Sequence, residues 1–208
     1  MSFKEDGYSV IKKALDKSLI HFLDKYISLK KDIFTFLTNT KSVSPLNEDY
    51  GSWGDSQIPD KKIYNLYGDP ALDILLLILK DKMQKEVGCP LIENYSYCRI
   101  YIKGNVLEKH TDRKHCEFST TLNIAGDPWP IFIKNKKSKN VQVNLLPGDM
   151  LVYRGCDLEH WREPFTGNKC TQVFLHFNKK NKNNIKNKYD TRPTLGLGLY
   201  YKEDKSGT

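Results

Sequence analysis

The sequence has no apolar segment long enough to cross a membrane and no C-x-x-C pair. Its longest apolar run, residues 74–79 (ILLLIL), falls far short of the ~20 residues that a membrane-spanning helix needs, so no membrane partner is expected. The first residues, MSFKEDGYSV, contain no apolar stretch of the kind that forms the core of a signal peptide, so no signal peptide is expected either. The five cysteines are odd in number and none are closely paired, which indicates free thiols and a cytoplasmic location rather than a disulfide framework.

The positive charge is not distributed as in a typical nucleic-acid-binding protein. The formal net charge is +8, and much of the excess lies in two Lys/Asn-rich segments, residues 134–140 and 178–188. Neither segment interleaves aromatic residues for base stacking, and neither carries arginines for bidentate phosphate contacts. Solvated loops explain both segments, so nucleic acid is not the expected partner.

One strand and two helices are predicted in the N-terminal part of the chain. Apolar and polar residues alternate within residues 7–15, which indicates a short strand. Apolar residues at helical spacing then follow Asp16 or Ser18, either of which can cap a helix. A second helix is predicted between Asp69 as its cap and Gly88 as its stop. It is apolar nearly all round, so we expect it to pack against something wide, such as a sheet.

Short strand patterns separated by turns occupy the C-terminal half. A spacing of about ten residues is typical of a β-sandwich or barrel. Helices followed by strands predict a mainly β protein of α+β type, a jelly-roll (double-stranded β-helix, cupin-like) barrel buttressed by N-terminal helices. Residues 38–67 carry turn residues without a clear period and are predicted to be loop with short elements. The predicted strands are residues 95–102, 118–124, 130–134, 141–145, 150–154 and 171–178. A single domain is expected, with a helical support region (1–90), a catalytic core (91–178) and a basic tail (179–208).

His110 and Asp112 in the segment KHTD are the sharpest chemical feature. On or just after a strand, residues two apart share a face, so these two side chains can converge on one point. His160 in LEHW follows another strand pattern and supplies a third candidate ligand. Two histidines and one carboxylate leave three positions of an octahedral Fe(II) open, which suits a bidentate cosubstrate and O₂. The catalytic and metal-binding set is therefore predicted as His110, Asp112 and His160.

Lys169 and Thr171 begin the closing strand pattern, KCTQVFLHFN, and are predicted to share its inward face. A buried cation needs an anionic partner, which the C5 carboxylate of 2-oxoglutarate would supply. The competing hypothesis is a lysine at a strand mouth that extends its amine to water. The same alternation places His176 on the opposite face and counts against it as a ligand. Tyr101 can donate its hydroxyl to the same carboxylate or simply pack the barrel wall.

Three large side chains near these motifs are candidates to contact substrate. Arg99 shares a strand face with Tyr101 and needs an anion, for which Asp112, a substrate carboxylate or 2-oxoglutarate would serve. Trp129 and Trp161 are the other two, the second directly following a predicted ligand. We expect substrate between an Arg99 side and a Trp-bearing rim. The competing hypothesis is that Trp129 packs under a loop while Arg99 forms an ion pair with Asp112.

Taken in order, these motifs resemble the 2-oxoglutarate/Fe(II) oxygenases of the prolyl-4-hydroxylase type. The order is a Tyr-rich strand, G-x-x-L-x-x-H-x-D, TTLNI, LLPGDMLVY, H-x-x-x-P-F-x-G-x-K and a closing strand. The resemblance spans residues 95–178 and implies Fe(II), 2-oxoglutarate and O₂ as cofactors, with a lysine at the 2-oxoglutarate position. It breaks at DPWPIFIKN, where the family shows a Gly-Gly-x-Thr-like strand, so the family's substrate is not carried over. The matching residues are Gly104, Leu107, His110, Asp112, Thr121, Leu122, Asn123, Pro147, Gly148, His160, Pro164, Gly167 and Lys169.

The sequence thus predicts a dioxygenase that hydroxylates a C–H bond of a peptide or small molecule and releases succinate and CO₂. A nucleic-acid dealkylase of the same superfamily would need an Arg-rich closing motif and a basic, aromatic lid, and neither is clear here. A non-catalytic, cupin-like binding module and a zinc site of His110, His115 and Cys116 are the alternatives from other classes. Neither the substrate nor the oligomeric state is indicated.

Overall fold

Local signals in the sequence explain where the helices begin and end. The computed structural model describes residues 2–44, 47–58 and 63–202. Both predicted helices are present. Asp16 accepts from the backbone N–H of Leu19 at the start of the first, and the second runs from the Asp69 cap to Gly88, whose φ of 77° suits glycine. The helices are α1 (Phe3–Asp6), α2 (Lys17–Asn39) and α3 (Pro70–Val87), with 3₁₀ segments at Ile185–Thr191 and Leu199–Tyr201.

Two antiparallel sheets form the predicted jelly-roll barrel. In chain order, the strands are β1 (Tyr8–Ile11), β2 (Ser52–Trp53), β3 (Tyr64–Tyr67), β4 (Leu91–Ile102), β5 (Leu107–His110), β6 (Phe118–Gly126), β7 (Ile131–Lys134), β8 (Asn140–Val143), β9 (Met150–Tyr153), β10 (His160–Arg162) and β11 (Lys169–Lys179). The major sheet has the order β1-β9-β6-β11-β4-β3-β2, and the minor sheet has the order β5-β10-β7-β8. The predicted fold class is confirmed.

The N-terminal region contributes strands as well as helices. The predicted opening strand is present as β1, which pairs with β9, and β3 pairs with β4. β2, β3, β5 and β10 were not among the predicted strands, and β2 and β10, at two and three residues, are too short for alternation to indicate them in the sequence. Of the predicted loop at 38–67, residues 45, 46 and 59–62 lie outside the described residues, as do residues 203–208 of the predicted tail.

The helices cover the outer face of the major sheet. Leu23 and Ile27 of α2 and Leu76 of α3 belong to one buried core with Val173 and Leu175 of β11. α3 packs against the sheet as predicted, but only along one face, since its outward apolar residues are about half exposed: Ile74, Leu77 and Ile78. Within the described ranges, no helix combines the length and apolar character needed to cross a membrane.

Candidate active site

His110, Asp112 and His160 meet between the two sheets. β5 ends at His110 and pairs with β10, which makes His110 and His160 register partners. Oδ1 of Asp112 lies 3.7 Å from Nε2 of His110 and 3.5 Å from Nε2 of His160. One potential ligand atom from each of the three residues lies within 4.8 Å of the other two. The structure therefore brings together the three residues that the sequence predicts as metal ligands.

The two histidines direct Nε2 towards Asp112 for a local reason. Nδ1 of His110 lies 2.8 Å from the carbonyl oxygen of Glu108, and Nδ1 of His160 lies 2.9 Å from that of Leu158. A carbonyl oxygen only accepts, so in each ring Nδ1 carries the proton and Nε2 keeps its lone pair. Metal-binding histidines are commonly oriented in this way.

The carboxylate of Asp112 is held by its other oxygen. The Ser119 hydroxyl donates to Oδ2 at 2.6 Å, and Nδ1 of His176 lies 3.0 Å from the Ser119 oxygen. Because the serine proton is engaged with Asp112, Nδ1–H of His176 is the donor to Ser119. Burial lowers the pKa of His176 to about 4, so the ring is neutral at neutral pH.

Gly155 forms the backbone wall behind this carboxylate. The N–H of Asp112 donates to the Gly155 carbonyl at 2.8 Å. A Cβ at position 155 would overlap with Oδ2 of Asp112 and Oγ of Ser119. Ser119, Gly155 and the inward orientation of His176 were not predicted from the sequence. No pattern signals them, because they reach Asp112 from three different segments of the chain.

We expect Ser119→Ala to lower divalent-metal affinity by ~10–100-fold, the usual effect of losing a hydrogen bond to a ligand. Isothermal titration of Mn(II) into metal-free protein measures this. Ser9→Ala is the matched control, because Ser9 is also a buried serine and its hydroxyl has no partner in the described structure. Equal affinities in the two variants would show that Ser119 does not support Asp112.

A cavity of about 400 Å³ lies beside the triad. One wall is aromatic and carries Tyr67, Tyr95 and Tyr97 from β3 and β4, while Leu107 and Phe174 supply apolar surface. The lining is therefore mixed, since charged and polar side chains that include Asp55 and Arg99 also face the cavity.

Arg99 lines this cavity, but its charge is already paired. Its Nη2 lies 2.7 Å from Oδ2 of Asp55 and 2.6 Å from the Gln57 amide oxygen, and Nη1 donates to the Tyr101 hydroxyl at 3.2 Å. Burial raises the pKa of Asp55, but Arg99 outweighs this and keeps it below its usual value. The anion beside Arg99 is thus Asp55 rather than Asp112, so the predicted ion pair with Asp112 is wrong.

Lys169 and Thr171 lie on the helix-facing side of β11, so their predicted inward orientation is wrong. Nζ of Lys169 lies 3.1 Å from Oγ of Ser28 and 3.6 Å from a carboxylate oxygen of Asp24, both in α2. The alternate residues of β11, including His176, face the cavity instead. Neither Lys169 nor Thr171 lines the cavity beside the triad.

The two candidate tryptophans lie away from the cavity. Trp129 is buried, its ring packs edge-on against Tyr101 at 4.7 Å, and its indole N–H donates to the Glu163 carbonyl. Trp161 lies on the other face of β10 and stacks on Phe132 with the ring centroids 5.6 Å apart. The predicted Trp-bearing rim is not formed at this cavity, and the packing hypothesis describes Trp129.

Arg162 was not among the predicted site residues, yet it is buried in the barrel with 1% of its surface exposed. Its Nη1 donates to the Trp129 carbonyl, and its guanidinium lies 4.9 Å from the Trp129 ring centroid. Nε and Nη2 have no hydrogen-bond partner in the described parts of the chain. Burial lowers the pKa of this guanidinium. A signal was present in the sequence, since Arg162 follows His160 by two residues and so shares its strand face.

Asp190 is the shared acceptor of four side chains, three of which line the cavity. It is 1% exposed and accepts hydrogen bonds of 2.6 Å from Tyr67, Arg113, His115 and Lys202. Asp190 and both of its neighbours have positive φ angles (56° at Asp190), a strained backbone that these contacts stabilise. Because His115 is bonded here, the zinc site of His110, His115 and Cys116 is not formed among the described residues.

Comparisons with known proteins give the fold a context. No protein-family model matches the chain, and no curated protein matches its sequence. A Pseudomonas putida prolyl-4-hydroxylase superposes with a TM-score of 0.60 at 14% identity, over 86% of this chain and 96% of that chain. EctD from S. alaskensis in its apoform gives 0.65 at 14% identity, over 100% and 83%. HygX from Streptomyces hygroscopicus, with nickel, 2-oxoglutarate and hygromycin B bound, gives 0.58 at 12% identity, over 86% and 85%. The fold is thus shared with prolyl-4-hydroxylase and other 2-oxoglutarate-binding proteins.

Proposed function

We propose that this chain is a 2-oxoglutarate- and Fe(II)-dependent dioxygenase that hydroxylates a C–H bond of a peptide or small molecule and releases succinate and CO₂. The observation that carries the proposal is the triad of His110, Asp112 and His160, whose ligand atoms lie within 4.8 Å of one another beside a cavity. The shared fold supports it. The alternative of a non-catalytic, cupin-like module has no observation of its own in its favour.

The donor set fits Fe(II). Two imidazole lone pairs and one carboxylate oxygen are directed to the same point, and the hydrogen bonds behind them keep each donor in its metal-binding form. When bound, Fe(II) and 2-oxoglutarate supply the oxidising chemistry, in which O₂ is consumed and 2-oxoglutarate is decarboxylated to succinate. His110, Asp112 and His160 hold the metal, and Ser119 and His176 keep Asp112 in place.

The remaining cavity residues position substrate and limit water. Leu107 and Phe174 present apolar surface beside the triad, which favours a partly dry site. The Asp55–Arg99 pair and Tyr97, which donates to Asp55 at 2.8 Å, form a polar wall for the substrate's own polar groups. A cavity of about 400 Å³ has room for 2-oxoglutarate and either a small molecule or one side chain of a peptide.

The test is anaerobic loading followed by turnover. We expect one Fe(II) per chain, a visible charge-transfer band when 2-oxoglutarate is added to the Fe(II) protein, and slow succinate release once O₂ is admitted. Peptides and small molecules are then screened for faster succinate release. A protein that binds metal without binding 2-oxoglutarate would contradict the proposal and favour the binding module.

A further inference from the structure

We infer that Arg162 binds the distal (C5) carboxylate of 2-oxoglutarate, the role that the sequence suggested for Lys169. This inference rests on the function proposed above and deepens it, because it assigns the second anchor of the cosubstrate to a particular side chain. It also specifies the ligand class, a 2-oxo acid with a second carboxylate at its far end.

The guanidinium of Arg162 is a buried cation that lacks an anion among the described residues. Its single hydrogen-bond acceptor is a neutral carbonyl, that of Trp129, and Nε and Nη2 are buried without partners. Burying an unpaired charge is costly, so a ligand that brings a carboxylate offsets that cost. The N–H groups of Nε and Nη2 lie along one edge of the guanidinium, a geometry in which they can donate to both oxygens of one carboxylate.

The position of Arg162 matches the length of the ligand. His160 and Arg162 are both buried while Trp161 between them is not, so the two share the inward face of β10. Two residues along a strand span ~6.6 Å, comparable to the length of a five-carbon diacid. Arg162 is not itself among the residues that line the cavity, but its register partner Leu107 and His160, which shares its strand face, both line it.

The other cations considered already have partners. Lys169 is bound by Ser28 and Asp24 on the helix-facing side of β11. Arg99 is bound by Asp55, Gln57 and Tyr101. Tyr101 also interacts electrostatically with Arg162. Since the Tyr101 hydroxyl accepts from Arg99, its own proton is left to donate to the same carboxylate.

The experiment compares two ligands in two proteins. Mn(II)-loaded wild type and Arg162→Met are titrated anaerobically with 2-oxoglutarate and with 2-oxopentanoate, which has the same carbon chain but no C5 carboxylate. Wild type is expected to prefer 2-oxoglutarate by ~10²–10³-fold. Arg162→Met is expected to lose that preference while its affinity for 2-oxopentanoate stays the same, which isolates the pairing of side chain and carboxylate. Lys169→Met is the matched control and should keep the wild-type preference.

The outcomes are separable. If wild-type protein binds neither 2-oxo acid, the proposed function fails. If wild type prefers 2-oxoglutarate and Arg162→Met keeps that preference, or if Lys169→Met loses it, the assignment of Arg162 is overturned. The melting temperature of metal-free Arg162→Met should equal or exceed that of wild type, because an unpaired buried charge is removed. Should that variant not fold, Arg162→Lys decides: a partial loss of the preference supports the assignment, and an unchanged preference overturns it.

Discussion

Replacing Asp112 with alanine will abolish Fe(II) binding and 2-oxoglutarate turnover while the fold survives. Asp112 supplies the carboxylate between two imidazoles, with Oδ1 3.7 Å from His110 and 3.5 Å from His160. Without it, two neutral donors remain, which hold a divalent cation weakly. The loss of metal affinity should therefore exceed the ~10–100-fold expected for a residue that only supports a ligand. His110→Ala and His160→Ala should behave in the same way.

Metal content after anaerobic loading, succinate release and circular dichroism together measure this result. Asp157→Ala is the control, since Asp157 is an aspartate at the surface near the same loop and pairs only with Arg154 in the described structure. It should retain one metal per chain. A His160→Ala variant with full activity would show that the triad is wrongly assigned.

Asp190→Ala should lower the free energy of unfolding by ~3–5 kcal/mol, the typical cost of removing one partner from a buried charge network. The carboxylate is 1% exposed and accepts from Tyr67, Arg113, His115 and Lys202, so its removal leaves these donors without their shared acceptor. Urea denaturation at neutral pH measures the loss. Asp81→Ala in the exposed face of α3 is the control and should change stability by less than ~0.5 kcal/mol.

The same residue predicts a pH dependence. Burial raises the pKa of Asp190, but its hydrogen bonds with His115 and Arg113 outweigh this and place the pKa well below its usual range. Because the folded pKa is depressed, the stabilisation is fully present above the unfolded value of ~3.9 and is lost as pH falls towards the folded value. The stability difference between wild type and Asp190→Ala should therefore shrink progressively below about pH 4. A difference that stays constant down to pH 2 would contradict this account.

The predictions from sequence that the structure confirms depend on interactions between residues close together in the chain. The caps at Asp16 and Asp69 and the stop at Gly88 act within one helical turn, so the helices begin and end as predicted. The convergence of His110 and Asp112 follows from alternation over two residues. The order of helices and strands was enough to predict a jelly-roll barrel, because few architectures bury such a series of amphipathic elements.

Only the tertiary structure decided which face of β11 points inward. Val173 and Leu175 make one face apolar and Phe174 the other, so alternation separates the two sets without showing which of them the helices cover. In the folded chain α2 and α3 cover the set that contains Lys169, and the set that contains His176 faces the cavity. The position proposed for the cosubstrate carboxylate therefore moves from Lys169 to Arg162.

The remaining differences have the same physical origin. Arg99 forms an ion pair with Asp55, Asp190 forms one with Arg113, and Ser119 donates a hydrogen bond to Asp112. The packing of the sheets and of the C-terminal segment decides each of these partners. The sequence by itself predicted His110 and Asp112 as candidate metal ligands on one face, because side chains on a strand repeat every two residues. Which buried charges are neutralised, and which guanidinium is left without an anion, depended on tertiary packing, because an ion pair forms between whichever groups the fold brings within a few ångströms.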